Sequence, residues 1–303
     1  MPISEFELIK KLHSIFPSQF TKGIGDDCAV EFRDGVYELF STDCMVEGVH
    51  FTLPENDPYW IGWKLVAVNV SDIAAMGGKP KGILISWAIP PTFGEKNLEL
   101  LTKGIADCAL SHQVQVMGGD TSKSKTDLFL NIAIWGQMKN TPLYRCNAKL
   151  ADVIMVTGAL GGSILGRHLK VNPRVKEMMW LANFGVHAAI DISDGIIGDL
   201  GHIAENSNLF FELNQEKIPI HEDAVRLSAK TGKSSLWHAL YDGEDYEVAF
   251  TVDPKHVDKL MSSWPFKEPI FSIGKMTNTG ANSILEKNGE IQIITGKSFE
   301  HQF

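Results

Sequence analysis

Cysteine is scarce in this sequence and is not arranged to build a site. The four cysteines, at 28, 44, 108 and 146, form no C-x-x-C pair and no zinc-type spacing, which excludes a zinc ribbon or dithiol redox motif and favours a reducing, cytoplasmic setting. No apolar signal-peptide core opens the chain, in keeping with that expectation. Lysine and arginine number 28 against 37 acidic residues, for a net charge of −9. That balance argues against a sequence-independent grip on nucleic acid, which relies on clustered cations. There is no run long and apolar enough to suggest a membrane span, no low-complexity segment and no solenoid repeat. The familiar phosphate cradles are missing too. Thr231-Gly232-Lys233-Ser234 and Thr295-Gly296-Lys297-Ser298 both lack the glycine that a P-loop needs five residues earlier, and no dinucleotide fingerprint opens a strand–helix junction.

What is present reads as an ordinary globular protein, 44% apolar and 21% charged, and 303 residues suggest two lobes, since single cores stop growing at about 250–300 residues. A short amphipathic helix is expected from Ser4 to Phe16, then a glycine-rich turn at 23–28 and a strand over Val36–Thr42. The clearest helix is Pro58–Met76: Asp57 can cap it, Pro58 suits its first position and Gly77-Gly78 end it. A buried strand over 82–89, a helix through Leu98, Leu101, Ile105 and Ala109, a strand over Val114–Met117 ending in GGDT and an alternating strand at 128–134 complete a first lobe. The pattern lapses between Met138 and Lys149. The expected organisation is therefore an N-terminal domain at 1–138 and a C-terminal α/β domain at 139–303.

In the second lobe a strand is expected over Asp152–Thr157, with Gly161-Gly162 leading into a helix through Leu169. A strand over Ala188–Ile192 feeds the sequence DISDG, followed by a helix over Gly195–Ser207. A strand near Leu209–Leu213, a helix from His221, the loop DGED at 242–245 and a strand over Tyr246–Val252 follow.

One pattern recurs: an acidic residue at the junction of an apolar element and a glycine-bearing turn. It occurs in GIGDDC, STDC, NVSDIAAMGG, GGDT, DISDG and DGED. Each alone is an ordinary turn, because glycine supplies positive φ and aspartate bonds its own backbone. If all six converge, their carboxylates repel one another unless cations intervene. Oxygen-only ligands select hard ions, and magnesium is commonly held by a few carboxylates together with substrate phosphates.

Taken together, GIGDDC (23–28), STDCMVEGVHF (41–51), KLVAVNVSDIAAMGG (64–78), GGDTS (118–122), DISDGIIGDLGHIA (191–204) and GEDYEVAF (243–250) resemble the thiamine-monophosphate kinase family of the aminoimidazole ribonucleotide synthetase superfamily. The resemblance implies an α/β fold (α+β type) of two lobes, with mixed sheets flanked by helices, forming a homodimer, and it makes the 1–138 domain the metal-, ATP-binding and dimerisation part. It implies ATP-dependent phosphorylation of thiamine monophosphate to the diphosphate by direct in-line transfer, assisted by several Mg2+ ions and with no residue acting as a covalent nucleophile. Neither nucleic acid nor a membrane is an implied partner.

Carried over position by position, the resemblance makes Asp27, Ser41, Thr42, Asp43, Asp72, Asp120, Asp191 and Asp194 the metal ligands. It gives Gly119, Asp120, Arg145 and Ser193 to ATP, and His50, Glu244 and Phe299 to the thiamine portion. This chain departs from the family pattern at RCNAKLAD (145–152), where a glycine-rich turn is usual, and at Phe299, where Tyr or Trp is usual.

Several positions keep a second reading. Asp72 could be a solvated helix-face residue, Ser193 a helix cap, His50 a structural histidine, and Ser41 and Thr42 mere strand residues. Asp26 suits a local side-chain-to-backbone bond as well as a metal contact. Cys28 and Cys44 are assigned to packing, and Trp60 and Trp63 to core or subunit contacts. Two other functions stay open: amide or formyl activation by a related ATP-using enzyme, and noncatalytic nucleotide binding.

Overall fold

A computed structural model describes residues 3–16 and 22–296. The elements run α1 (Glu5–Ile15), β1 (Ala29–Arg33), β2 (Val36–Val46), α2 (Pro58–Ala75), β3 (Lys79–Ile89), α3 (Glu95–Ser111), β4 (Gln115–Lys123) and β5 (Phe129–Met138). They continue β6 (Val153–Thr157), α4 (Val175–Phe184), β7 (Ala189–Asp191), α5 (Ile196–Asn206), β8 (Phe210–Asn214), α6 (Glu222–Thr231), α7 (Ser235–Tyr241), β9 (Val248–Val252), α8 (Val257–Ser263), β10 (Ile270–Thr277), β11 (Ser283–Leu285) and β12 (Ile291–Ile293). Two mixed sheets result, ordered β1-β2-β5-β3-β4 and β12-β11-β8-β10-β6-β9-β7. The fold is α/β with two mixed sheets flanked by helices, as expected. Among the described residues no helix is long and apolar enough to cross a membrane.

In the first sheet the alternation of β2, β3 and β5 decides which face is covered. Leu39, Ile83, Ile85, Leu130, Ile132 and Ile134 are buried and join one core with the apolar residues of α2 and α3. Phe40, Leu84 and Phe129, each one step out of phase, remain exposed on the other face.

α2 is the element on which both lobes meet. Its apolar residues surround the helix, a pattern that requires burial on every side. It packs on α3, β2, β3 and β5 of the first lobe and on α4 and β7 of the second. Asp57 caps it by accepting a hydrogen bond from the Tyr59 amide at 2.9 Å, and Gly77, at φ +79°, turns the chain away.

Two expectations need correction, and several elements were not foreseen. Residues 29–33 form β1, which pairs with β2 through a two-residue turn at Asp34 and Gly35, both at positive φ, as a tight hairpin demands. Gly161-Gly162 do not lead into a helix: two single 3-10 turns, Ser163–Leu165 and Arg167–Leu169, are separated by Gly166 at φ +127°, where a helix cannot continue. GGDT is not the end of its strand but lies within β4. The helices α4, α7 and α8 also lie where no element was expected.

The α2–α3 contact is close enough to require glycine on both helices. A Cβ on Gly62 would fall 2.1 Å from the Leu101 carbonyl oxygen, and one on Gly104 would fall 1.8 Å from that of Tyr59. Gly104→Ala is therefore expected to force the helices apart at a cost of about 1–3 kcal/mol, lowering the thermal midpoint by several degrees. An unchanged midpoint in a melting experiment would show that the helices do not approach this closely.

Candidate metal and phosphate site

Four separate stretches deliver acids to one place. The loop before β1 brings Asp26 and Asp27, β2 brings Asp43, α2 brings Asp72 from its last two turns, and the end of β7 brings Asp191. Asp27, Asp72 and Asp191 each offer a carboxylate oxygen, all within 4.8 Å of one another. The Ser41 hydroxyl donates to Asp72, and the Ser71 hydroxyl donates to Asp191 at 2.6 Å, joining the lobes. Asn69, fully buried, accepts from the Asp43 amide at 3.0 Å and fixes that part of β2 against α2. A cavity of roughly 550 Å³ opens beside these groups and is lined by Asp43, Asp72 and Asp191 together with Lys64, His50 and Glu244.

One guanidinium answers this charge directly. Arg145 pairs with Asp27 and lies 3.9 Å from Asp26, while its backbone amide donates to the Asp26 carboxylate at 3.3 Å. The remaining imbalance appears in the titration behaviour. Burial, reinforced by the charge on Asp27, pushes the Asp43 carboxyl up to about 6. The same two causes raise Asp191 to about 7 and, despite Arg145, Asp26 to about 7. Burial and then the neighbouring Asp43 and Asp191 hold Asp72 well above the usual carboxylate range.

These residues fit a hard divalent cation. Every donor is oxygen, three carboxylates already lie at chelating distance and the buried Oδ2 of Asp27 has no hydrogen-bond partner. A cation between them would satisfy that atom and remove the repulsion.

The other residues singled out from the sequence are placed unevenly. Ser193 and Asp194 line the cavity, and the loop that carries them is zipped to the DGED loop: the Glu244 amide donates to the Ser193 carbonyl at 2.7 Å and that of Tyr246 to the Ile192 carbonyl at 2.8 Å. His50 lines the cavity and its Nδ1 accepts from the Val46 amide at 3.1 Å. Glu244 pairs with Lys64. The Thr42 hydroxyl, one residue out of phase with Ser41 and Asp43, instead donates to the Ile132 carbonyl at 2.9 Å. Asp120 is exposed on β4. It is in register with Ser86, whereas the row containing Asp43 runs through Ile132 and Ile85 to Gly119. Alternation therefore puts Asp120 on the opposite face from Asp43. Gly119 passes so close to β3 that a Cβ would meet the Ile85 carbonyl oxygen at 1.8 Å. Phe299 lies outside the described residues.

Sequence reasoning passed over several contributors. Asp26 makes the local bond considered for it, accepting from the Asp27 amide at 3.3 Å, and in addition holds Arg145. Asp199, in the first turn of α5, is 2% exposed and accepts from the Asp194 amide at 3.3 Å. Burial and the charges of Asp194 and Asp191 push its carboxyl well up. Lys64, Asn69 and Ser71 were also missed, although a lysine, an asparagine and a serine inside an otherwise apolar helix are a readable signal.

A family model described as "AIR synthase related protein, N-terminal domain" matches residues 25–138. The thiamine-monophosphate kinase of Rhodopirellula baltica is 38% identical to this chain, covering 85% of it and 84% of the relative. That of Bacillus subtilis is 33% identical and covers 99% of both. Among solved structures, that of AaThiL complexed with AMPPCP and TMP superposes with a TM-score of 0.86 at 28% identity, covering 98% of this chain and 97% of the other.

The raised carboxyls define a pH dependence. Asp43, Asp191 and Asp26 hold their protons to about 6, about 7 and about 7 in the folded chain, against about 3.9 when unfolded. Between those values the folded state binds more protons than the unfolded state, so stability falls as pH rises. In chelator the thermal midpoint should therefore drop between pH 5 and pH 7.5, and millimolar Mg2+ should restore it at pH 7.5 while doing little at pH 5. An equal Mg2+ effect at both pH values in a melting series would contradict this assignment.

Proposed function

The chain belongs to the thiamine-monophosphate kinase family, and from this we infer that it transfers the γ-phosphate of ATP to thiamine monophosphate, giving thiamine diphosphate and ADP. The observation that carries the reading is the gathering of Asp27, Asp72 and Asp191 within 4.8 Å beside a cavity of roughly 550 Å³. It is supported by the similarity to AaThiL, solved with the ATP analogue AMPPCP and with TMP.

Asp27, Asp43, Asp72 and Asp191 are the residues that would hold magnesium, with Ser41 hydrogen-bonded to Asp72. Several such ions supply charge neutralisation and a common template for donor and acceptor phosphates. Arg145 keeps Asp27 and Asp26 aimed inward. Ser193 and Asp194 present the start of α5 to the nucleotide side of the cavity. Gly119 and Asp120 we also assign to ATP. Asp120 lies on the outward face of the first sheet, so in this reading it meets the nucleotide when a second subunit covers that face, with the Gly119 backbone beside it. The exposed Phe40, Leu84 and Phe129 on that face support such a homodimer.

At the far end of the cavity His50 and Glu244 flank the acceptor heterocycle, with Phe299 as the third assigned contact. The acceptor monoester is largely ionised near neutral pH, its second pKa being about 6, so in-line attack needs positioning and charge neutralisation more than a strong base. No phosphoenzyme enters the scheme. Cys44 lines the cavity, but burial and the adjacent Asp43 push its thiol up, which keeps it a poor nucleophile. Work in the cytoplasm belongs to the same reading, and Cys28, Cys44, Cys108 and Cys146 are all unpaired.

Incubation with Mg2+, ATP and thiamine monophosphate should yield ADP and the diphosphate in equal amounts. Asp43→Asn and Asp72→Asn should each reduce kcat by at least about 100-fold while leaving the melting point in chelator unchanged or higher, because each removes a repelled carboxylate. Nucleotide binding without ADP formation would contradict the kinase reading, and wild-type turnover in either variant would contradict the metal assignment.

A further inference from the structure

Lys64 of α2 is 1% exposed, an unusual place for an ammonium group, because a buried charge is costly unless paired and hydrogen-bonded. Its Nζ has two partners: the Glu244 carboxylate and the backbone carbonyl of His50, the latter at 3.2 Å. One ammonium thus ties a loop of the first lobe to a loop of the second. The loop it holds in the second lobe needs support. Glu244 and Tyr246 stand at φ +62° and +50°, left-handed conformations that side-chain-bearing residues keep only when their surroundings fix them.

The position along α2 gives this tie a function. Lys64, Val68 and Asp72 follow one another at i, i+4 and i+8 on a single helix face, and all three line the cavity. The ammonium and the acidic cluster therefore mark two ends of one wall, their Cα atoms about 12 Å apart at the helical rise per residue. A phosphate monoester held at the acidic end would extend its heterocycle toward the end where Lys64 fastens Glu244 and His50. The packing alone does not call for the charge. Leu65, Val66 and Ala67 beside it are wholly buried, and an unbranched apolar side chain could fill the same space.

We propose that Lys64 is a positioning residue for acceptor recognition: by clamping Glu244 against the His50 backbone it sets the wall that receives the cationic heteroaromatic end of the acceptor, and it takes no part in holding ATP. The proposal rests on the kinase reading above and deepens it.

The test is steady-state kinetics of Lys64→Met. The expected result is a KM for thiamine monophosphate raised by about tenfold or more, with the KM for ATP within about twofold of wild type, and partial recovery of the acceptor KM in Lys64→Arg. A purely structural lysine would instead lower the melting point and impair both substrates alike. An unchanged acceptor KM, or equal increases for both substrates, overturns the proposal. Should Lys64→Met fail to fold, the neutral pair Lys64→Met with Glu244→Gln decides. Its acceptor KM should be no worse than that of Glu244→Gln alone, because both changes act through one contact, and a further additive loss overturns the idea. Wild-type protein that makes no ADP from ATP and thiamine monophosphate would sink the kinase reading itself, a result distinguishable from any effect at Lys64.

Discussion

Mutual repulsion among buried carboxylates is the constraint on which the rest of this structure depends. Asp26, Asp27, Asp43, Asp72 and Asp191 come from four stretches of chain and meet with Arg145 as their principal cationic partner. Burial, and then crowding by like charges, raises the proton affinity of Asp26, Asp43, Asp72 and Asp191 and weakens the fold as they ionise. A protein assembled for stability alone would not keep such an arrangement. In the proposed reading it would become favourable once divalent cations and phosphate groups complete it. The stored repulsion would then be tied to ligand binding, because the same groups that strain the ligand-free chain would supply the differential affinity for metal and phosphate.

α2 is the beam that makes the arrangement possible. Wrapped by apolar neighbours from both lobes, it cannot shift without disturbing two cores, and its few polar residues all point to work. Asn69 fixes the stretch of β2 that carries Asp43, and Ser71 reaches Asp191 across the lobes. Asp72 belongs to the acidic cluster and Lys64 marks the other end of the cavity. The glycine contact with α3 brings the helices close and holds the beam at a fixed depth beneath the first sheet. Function here follows from how rigidly one helix is embedded.

Much of this was legible in the residues themselves. The cap at Asp57, the proline after it and the glycine stop located α2 almost to its ends, because those signals act locally. The acidic junctions announced a site for the same reason: aspartate beside a glycine turn is local chemistry, and its repetition suggested convergence. What escaped was set by neighbours distant in sequence. The hairpin at Asp34-Gly35 carries a readable turn signal, but β1 is only five residues long and offers too little alternation to declare itself. Alternation within a strand also separates residues that are contiguous in sequence. Ser41 and Asp43 face the helices while the Thr42 hydroxyl serves the other face, and Asp120 lies across the sheet from the cluster. Asp199 and Lys64 sit inside stretches already recognised as telling, yet Asp199 is buried by elements distant in sequence and Lys64 is paired from the opposite lobe.

The most direct test of the central claim is anomalous X-ray scattering from crystals equilibrated with Mn2+ as a stand-in for Mg2+, together with a non-hydrolysable ATP analogue. The account requires an anomalous peak among the carboxylates of Asp27, Asp72 and Asp191, in contact with phosphate oxygens of the nucleotide. Those three carboxylates bound only to one another at saturating Mn2+, with the peak absent or located elsewhere, would contradict it.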